Sequence, residues 1–175
     1  MHQNSDYHYC PCCGYLWDKP EAKSTIGKHI VCTHCGFILY KDPKVAVCVI
    51  IDVDGKVVMM KRCLPTVHGN WAIPGGFVDA GETLEAAAIR EVGEEILLDV
   101  EITGLVGAYS KEGESVVLIV YSGRIIKGRP GCGPEALDVR SFDYDSIPWD
   151  DLSFPINGKA LRDYYARHDS GKKFG

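Results

Sequence analysis

Apolar and polar positions along this chain follow two periods, one of strands and one of helices. Residues 45–51, VAVCVII, form an unbroken apolar run of strand length, as expected for a buried strand. Asp54-Gly55 is a hairpin signal, and residues 57–61 return beside the first strand. Residues 102–109 and 116–121 read as two further strands, separated by the polar turn Lys111-Glu112-Gly113-Glu114. Residues 137–144 alternate apolar with polar side chains and read as another strand. Between these blocks the period changes to that of a helix. Thr83 is placed to cap it, Ala86, Ala87 and Ala88 favour it, and Ile89, Val92 and Ile96 form its apolar stripe. A second helix is expected over residues 157–167, with Ala160, Leu161, Tyr164 and Tyr165 on its buried side. Residues 1–8 are polar and expected to fray, and residues 171–175 to form a flexible tail.

The chemistry concentrates in residues 75–98, GGFVDAGETLEAAAIREVGEEILL. A helix turns roughly 100° per residue, so Glu91 and Glu95 project almost the same way, with Glu94 beside them. Carboxylates so crowded repel one another unless a cation sits among them. Mg²⁺ and Mn²⁺ take such oxygen ligands and complete their shells with substrate phosphates. Gly75-Gly76 lets bare backbone approach the same cation. An isolated REVGEE string also suits a solvated helix face. The glycine turn, Glu82, Arg90 and three glutamates at fixed offsets favour the metal site.

At this point the sequence resembles the Nudix hydrolase family. The signature is a Gly, five residues, Glu, seven residues, Arg-Glu, an apolar residue, any residue, Glu-Glu, any residue, Gly and an apolar residue. Gly76, Glu82, Arg90, Glu91, Val92, Glu94, Glu95 and Leu98 fit it, and Leu97 stands in place of the final Gly. That glycine lets a chain leave the helix in a left-handed turn. With Leu97 there, either the turn is kept at a cost of about 1 kcal/mol or the exit is reshaped.

The resemblance implies an α/β/α sandwich with a mixed sheet, in agreement with the order of strands and helices. It also implies Glu91 and Glu95 as principal Mg²⁺ or Mn²⁺ ligands, together with the carbonyl of Gly75. Glu94 is then a third ligand or a base acting through water, and Glu82 and Arg90 orient the ligating carboxylates. A further carboxylate is expected from outside the helix: Glu135, with Glu112 and Glu114 as rivals. Arg62 either grips a phosphate or pairs with acidic groups. Beside Gly76, Phe77 and Tyr109 either stack on a base of the substrate or simply pack.

Two Cys-x-x-Cys-Gly turns, one at Cys10, Cys13 and Gly14 and one at Cys32, Cys35 and Gly36, match a tetrahedral Zn²⁺ site. Cys10, Cys13, Cys32 and Cys35 are the expected ligands, with Cys12 and His34 as bystanders inside the turns. The competing reading is a redox-active Cys-x-x-Cys pair. Residues 15–31 read as loop and short strands, too small to fold without the metal. Tyr40-Lys41-Asp42-Pro43 is a boundary, which gives a zinc ribbon over residues 1–40 and a Nudix domain over 41–175. The arrangement is similar to the ribbon-bearing branch of the family, which includes enzymes acting on NADH, ADP-ribose or FAD. NADH-cleaving members carry Ser-Gln-Pro-Trp-Pro-Phe-Pro after the signature. Residues 108–113 here are AYSKEG, which moves ADP-ribose and FAD ahead.

Composition narrows the remaining choices. The 175 residues carry 25% charged side chains and a net charge of −5, which disfavours a general nucleic-acid coat. No apolar run has membrane-spanning length, and the start lacks a signal-peptide core. Eight cysteines in a chain read as cytosolic point to metal or free thiols. The expected activity is metal-dependent hydrolysis of the pyrophosphate bond in a nucleoside diphosphate derivative, by a homodimer. The alternatives are an NADH pyrophosphatase, an enzyme removing NAD caps from RNA, and a nucleotide sensor that does not cut and docks a partner through the ribbon.

Overall fold

The computed structural model describes residues 7–18, 20–27, 29–63 and 68–169. Most of the expected frayed start lies outside these residues, as do the expected tail at 171–175, Lys19 and Lys28. The chain separates into two compact units, Met1–Asp42 and Pro43–Gly175.

The first unit holds β1 (Lys23–Ile26), β2 (His29–Cys32) and β3 (Ile38–Leu39), an antiparallel sheet in that order. Its buried residues are Cys10, Trp17, Ala22, Cys32 and Leu39, with Ile30 and Phe37 partly covered beside them. Ordering each backbone residue costs about 1–2 kcal/mol. A core of this size offsets little of that cost.

The second unit runs β4 (Lys44–Val53), β5 (Lys56–Arg62), β6 (Trp71–Ala72), β7 (Gly75–Phe77), α1 (Leu84–Ile96), β8 (Asp99–Ser110), β9 (Val116–Lys127), β10 (Ala136–Phe142) and α2 (Pro155–Asp169). The main sheet order is β10-β5-β4-β9-β8, with β6 on β5 and β7 on β4. The β4–β9 pair is parallel and the others are antiparallel, so the sheet is mixed. Val47, Val49 and Ile51 face a core shared with Ala87, Ala88, Val92 and Ile96 of α1. Cys48 and Ile50 face the opposite core, shared with Ala160, Leu161 and Tyr164 of α2. Burial on both faces is why β4 reads as an unbroken apolar run.

One edge of β4 takes two partners. Asp52 and Val53 pair with Val57 and Lys56 of β5, whereas Ala46, Val47 and Cys48 pair with β7. The sheet therefore forks along β4. The far end of β5, ending at Arg62, is held by β6 and β10 instead.

Several sequence expectations shift. β8 and β9 are longer than the patterns of residues 102–109 and 116–121, because three register shifts in their ladder break the two-residue period. α2 starts at Pro155, where a missing N–H has no consequence in the first helical turn. Ile89 is 40% exposed and is not part of the anchoring stripe of α1, which Ala87 and Ala88 complete. Trp71 is core. Among the described residues no helix is long and apolar enough to cross a membrane.

Candidate active site

Thr83 begins α1 by accepting the N–H of Ala86 on its hydroxyl at 3.2 Å. Leu97 ends it in the left-handed region, at φ 61°, with its N–H on the carbonyl of Gly93. The left-handed exit is thus kept with a leucine in the glycine position, and the helix end is not reshaped.

The bend at Gly75 and Gly76 lies directly against the acidic face of α1. A Cβ on Gly76 would sit 2.5 Å from the Glu91 carboxylate, and one on Gly75, at φ 149°, would strike the Val47 carbonyl. Only glycine lets strand and carboxylates come this close. The N–H of Gly75 donates to Glu95 Oε2 at 2.7 Å, and Arg62 Nη1 donates to Glu95 Oε1 at 3.2 Å. Glu95 is 3% exposed, and Arg62 is buried too.

Arg90 gathers the other acids. Its Nε and Nη2 donate to the two oxygens of Glu82, at 2.8 and 2.9 Å, a forked pairing that orients both groups. Its Nη1 donates to Glu91 at 2.9 Å and to Glu94 at 3.2 Å, and Nη2 also reaches the Phe77 carbonyl. Glu82 in turn accepts the N–H of Asp79, which closes the loop before the helix.

The end of α1 is where Glu135 arrives. Gly131 and Gly133 donate their N–H groups to the carbonyls of Ile96 and Glu95, so this loop caps the helix C-terminus. A Cβ on Gly133 would lie 2.0 Å from the Glu94 carbonyl, so the docking requires glycine. The Glu135 carbonyl accepts the N–H of Cys63, and its carboxylate stands 3.6 Å from Arg62 Nη2. Arg62 thus bridges two site carboxylates, the buried Glu95 and the exposed Glu135.

These environments split the carboxylates electrostatically. Burial pushes Glu95 up to about 7, against the pull of the Gly75 N–H and Arg62. Burial also raises Glu91. Glu82 is held down at about 2 by its hydrogen bonds from Arg90. A divalent cation between Glu91 and Glu95 would supply the charge that their burial withholds.

The structure therefore brings together Gly75, Gly76, Glu82, Arg90, Glu91, Glu94, Glu95, Arg62 and Glu135. Glu114 pairs instead with Lys111 in the β8–β9 turn that also carries Glu112. Tyr109 is a correction: it is buried in the α2-side core, on the sheet face away from α1, and offers no ring to a base. Phe77 is half exposed. With Pro43, Lys44, Val45, Val78 and Asp79 it lines a cavity of about 430 Å³, and the Lys44 ammonium stands 5.1 Å from its ring. Lys44 was not legible as a site residue, because the β4–β7 pairing alone brings it beside Phe77.

In the first unit, Cys10, Cys13, Cys32 and Cys35 place their sulfurs within 4.8 Å of one another. Among the described residues this is the one group of three or more such ligands gathered so closely. The two turns are copies. Gly14 and Gly36 take positive φ and donate to the carbonyls of Cys10 and Cys32, both at 2.9 Å. Cys10 and Cys35 sulfurs are 3.7 Å apart, and those of Cys13 and Cys32 3.8 Å. Four sulfurs about 2.3 Å from a tetrahedral Zn²⁺ stand about 3.8 Å from each other, the spacing of these two pairs. Cys12 is exposed and His34 stacks on Tyr15.

Comparison with known proteins agrees with this fold. The NUDIX domain profile matches residues 41–164. The chain is 37% identical over 130 residues to an ADP-ribose pyrophosphatase of Methanocaldococcus jannaschii, covering 72% of this chain and 75% of that protein. It is 26% identical over 144 residues to the NAD-capped RNA hydrolase NudC of Salmonella heidelberg, and spans 54% of that protein's length. The crystal structure of a NUDIX hydrolase from Nitrosomonas europaea superposes with a TM-score of 0.81 and 32% identity over 93% of each chain. Sequence, fold and the glutamate-bearing helix against its glycine bend lead to one assignment: this chain belongs to the NUDIX family of hydrolases.

Proposed function

We propose that this chain hydrolyses the pyrophosphate bond of a nucleoside diphosphate derivative, with ADP-ribose first and FAD or a related dinucleotide next, and releases a nucleoside monophosphate. The observation that carries this reading is the set of Glu91, Glu94 and Glu95 against the Gly75–Gly76 bend, with Glu95 buried at about 7. The printed activity of the Methanocaldococcus relative supports the choice of ADP-ribose.

Glu91, Glu95 and the Gly75 carbonyl would hold Mg²⁺ or Mn²⁺, with Glu135 as the added carboxylate. Bound there, such an ion would offset the charge of the two phosphates and lower the pKa of a water, favouring the hydroxide that attacks phosphorus. Glu94 is the exposed member of the three and would accept a proton from the attacking water. Arg90 and Glu82 fix the carboxylates by the pairings described. Arg62 keeps Glu95 aligned with the Gly75 N–H. The Phe77 ring and the cavity beside it would receive the base. In the ribbon, Cys10, Cys13, Cys32 and Cys35 hold one structural Zn²⁺. Free cysteines throughout suit a cytosolic setting.

The test is a Mg²⁺-dependent hydrolysis screen over ADP-ribose, FAD, NADH and NAD-capped RNA with product identification. AMP from ADP-ribose is the expected outcome. Nucleotide binding without cleavage, in Mg²⁺ and in a repeat with Mn²⁺, would overturn the enzymatic reading in favour of a sensor, and preference for the capped RNA would redirect the substrate.

A further inference from the structure

We propose that Phe154 is a second stacking platform of the active site and takes the further ring system of a dinucleotide, which ADP-ribose lacks. The inference rests on the reading of the α1 carboxylates as the place where the diphosphate binds.

Phe154 lies between Leu152 and Ile156, which both pack on the α2-side core. Its own ring does not join that core and is 41% exposed. The guanidinium carbon of Arg62 stands over the ring, 5.9 Å from its centre. Arg62 is the side chain that joins Glu95 and Glu135. The ring therefore borders the carboxylate cluster and not a remote surface. A guanidinium over one face of a ring is attracted to its π-electrons and leaves the opposite face for another planar group.

The backbone fixes where this ring stands. The Ser153 N–H donates to the Trp71 carbonyl at 2.8 Å, and Leu152 forms a parallel bridge with Trp71. Trp71 in turn pairs with Lys61, the neighbour of Arg62 in β5. On the other side the Phe154 carbonyl accepts the Asn157 N–H at 3.0 Å, and Pro155 restricts the first residue of α2. One strand pair thus carries Arg62 and anchors the segment of Phe154. A platform fixed in advance loses little freedom when a base stacks on it.

Phe77 and Phe154 end one line of contacts through the site. Arg90 donates to the Phe77 carbonyl, and Gly76 lies against Glu91. The Gly75 N–H and Arg62 hold the two oxygens of Glu95, and Arg62 meets Phe154. Two rings flanking the carboxylates match a substrate whose two ring systems are joined through a diphosphate. ADP-ribose engages one of the rings, whereas FAD or NADH engages both. Stacking of a base away from the reacting phosphorus is as strong before the reaction as during it, so Phe154 acts on KM.

The test compares FAD, NADH and ADP-ribose as substrates of the full chain in Mg²⁺. Phe154→Leu keeps an apolar side chain beside Arg62 and removes the planar ring. It should raise KM for FAD and NADH roughly tenfold more than KM for ADP-ribose, the scale of one lost base stack. Phe154→Trp should restore the original ratio. A parallel titration with Ca²⁺ in place of Mg²⁺, read by flavin fluorescence, gives FAD affinity apart from cleavage and should show the same loss in Phe154→Leu. An equal rise of KM for all three substrates would reduce Phe154 to a cover for Arg62 and overturn the platform, as would no change in KM and affinity. A chain that binds FAD through Phe154 in the titration yet cleaves none of the three substrates in Mg²⁺ or Mn²⁺ overturns the pyrophosphatase reading and leaves the platform standing.

Discussion

The two sites suited to metal are held in opposite ways. The four sulfurs of the ribbon already stand within 4.8 Å of one another, on two copied backbone turns, with the Cys10–Cys35 and Cys13–Cys32 pairs at 3.7 and 3.8 Å. The carboxylates of α1 are held by arginines instead: Glu82, Glu91 and Glu94 on Arg90, and Glu95 and Glu135 on Arg62. The first arrangement suits a resident ion that the fold needs. The second suits an ion that arrives with its substrate, because a ready cluster of unpaired carboxylates would be costly in its absence. The size of the surrounding cores agrees. Among the described residues, five buried ones support the ribbon, whereas α1 lies on one of two extended cores.

The largest expected effect breaks the comparison at its ribbon side. Removing zinc with a strong chelator should unfold the first unit, since binding of such an ion is worth about 10 kcal/mol or more to a small domain. The sandwich should keep its melting transition. Calorimetry combined with amide exchange checks this, and a ribbon that stays protected without zinc would show that its apolar core suffices.

Next comes pH, which sharpens the other side. Glu95 titrates near 7 in the folded metal-free chain, above its ordinary 4.5. A carboxyl raised in this way contributes stability that is fully present below about 4.5 and lost as pH rises through about 7. The loss amounts to about 3 kcal/mol in that window. Urea unfolding in chelator should show the slope, and saturating Mg²⁺ should flatten it. Glu82 acts in a different window: held near 2, it loses its contribution as pH falls from 4.5 towards 2.

Glu95→Gln should leave the circular dichroism spectrum intact and cut turnover by about a hundredfold, the scale expected when a metal ligand is lost. Near-normal turnover in that variant would dismantle the proposed site. The smallest effect is at the helix exit. Leu97→Gly should raise the stability of the sandwich by roughly 1 kcal/mol, because the left-handed turn at φ 61° strains a leucine and not a glycine. Its activity should be unchanged, which chemical denaturation and kinetics together can establish.

Local pattern by itself determined a good deal of this protein. The buried β4 run, the Thr83 cap, the glutamates at helical spacing and the two cysteine turns are all short-range features, and periodicity and spacing report such features directly. Tertiary structure alone decided the rest. Tyr109 and Phe77 were equivalent as candidate aromatics until the sheet placed one in the α2-side core and the other at a cavity mouth. Arg62 and Glu135 lie far apart in the chain from Glu95, and the forked sheet and the glycine loop capping α1 bring them to it. Ile89 satisfied the apolar stripe on paper and remained exposed. The physical reason is common to these cases. A side chain's residue type and period fix what it can do within a turn or two, but which face it meets depends on strand order and loop docking, and those are set by contacts between residues distant in sequence.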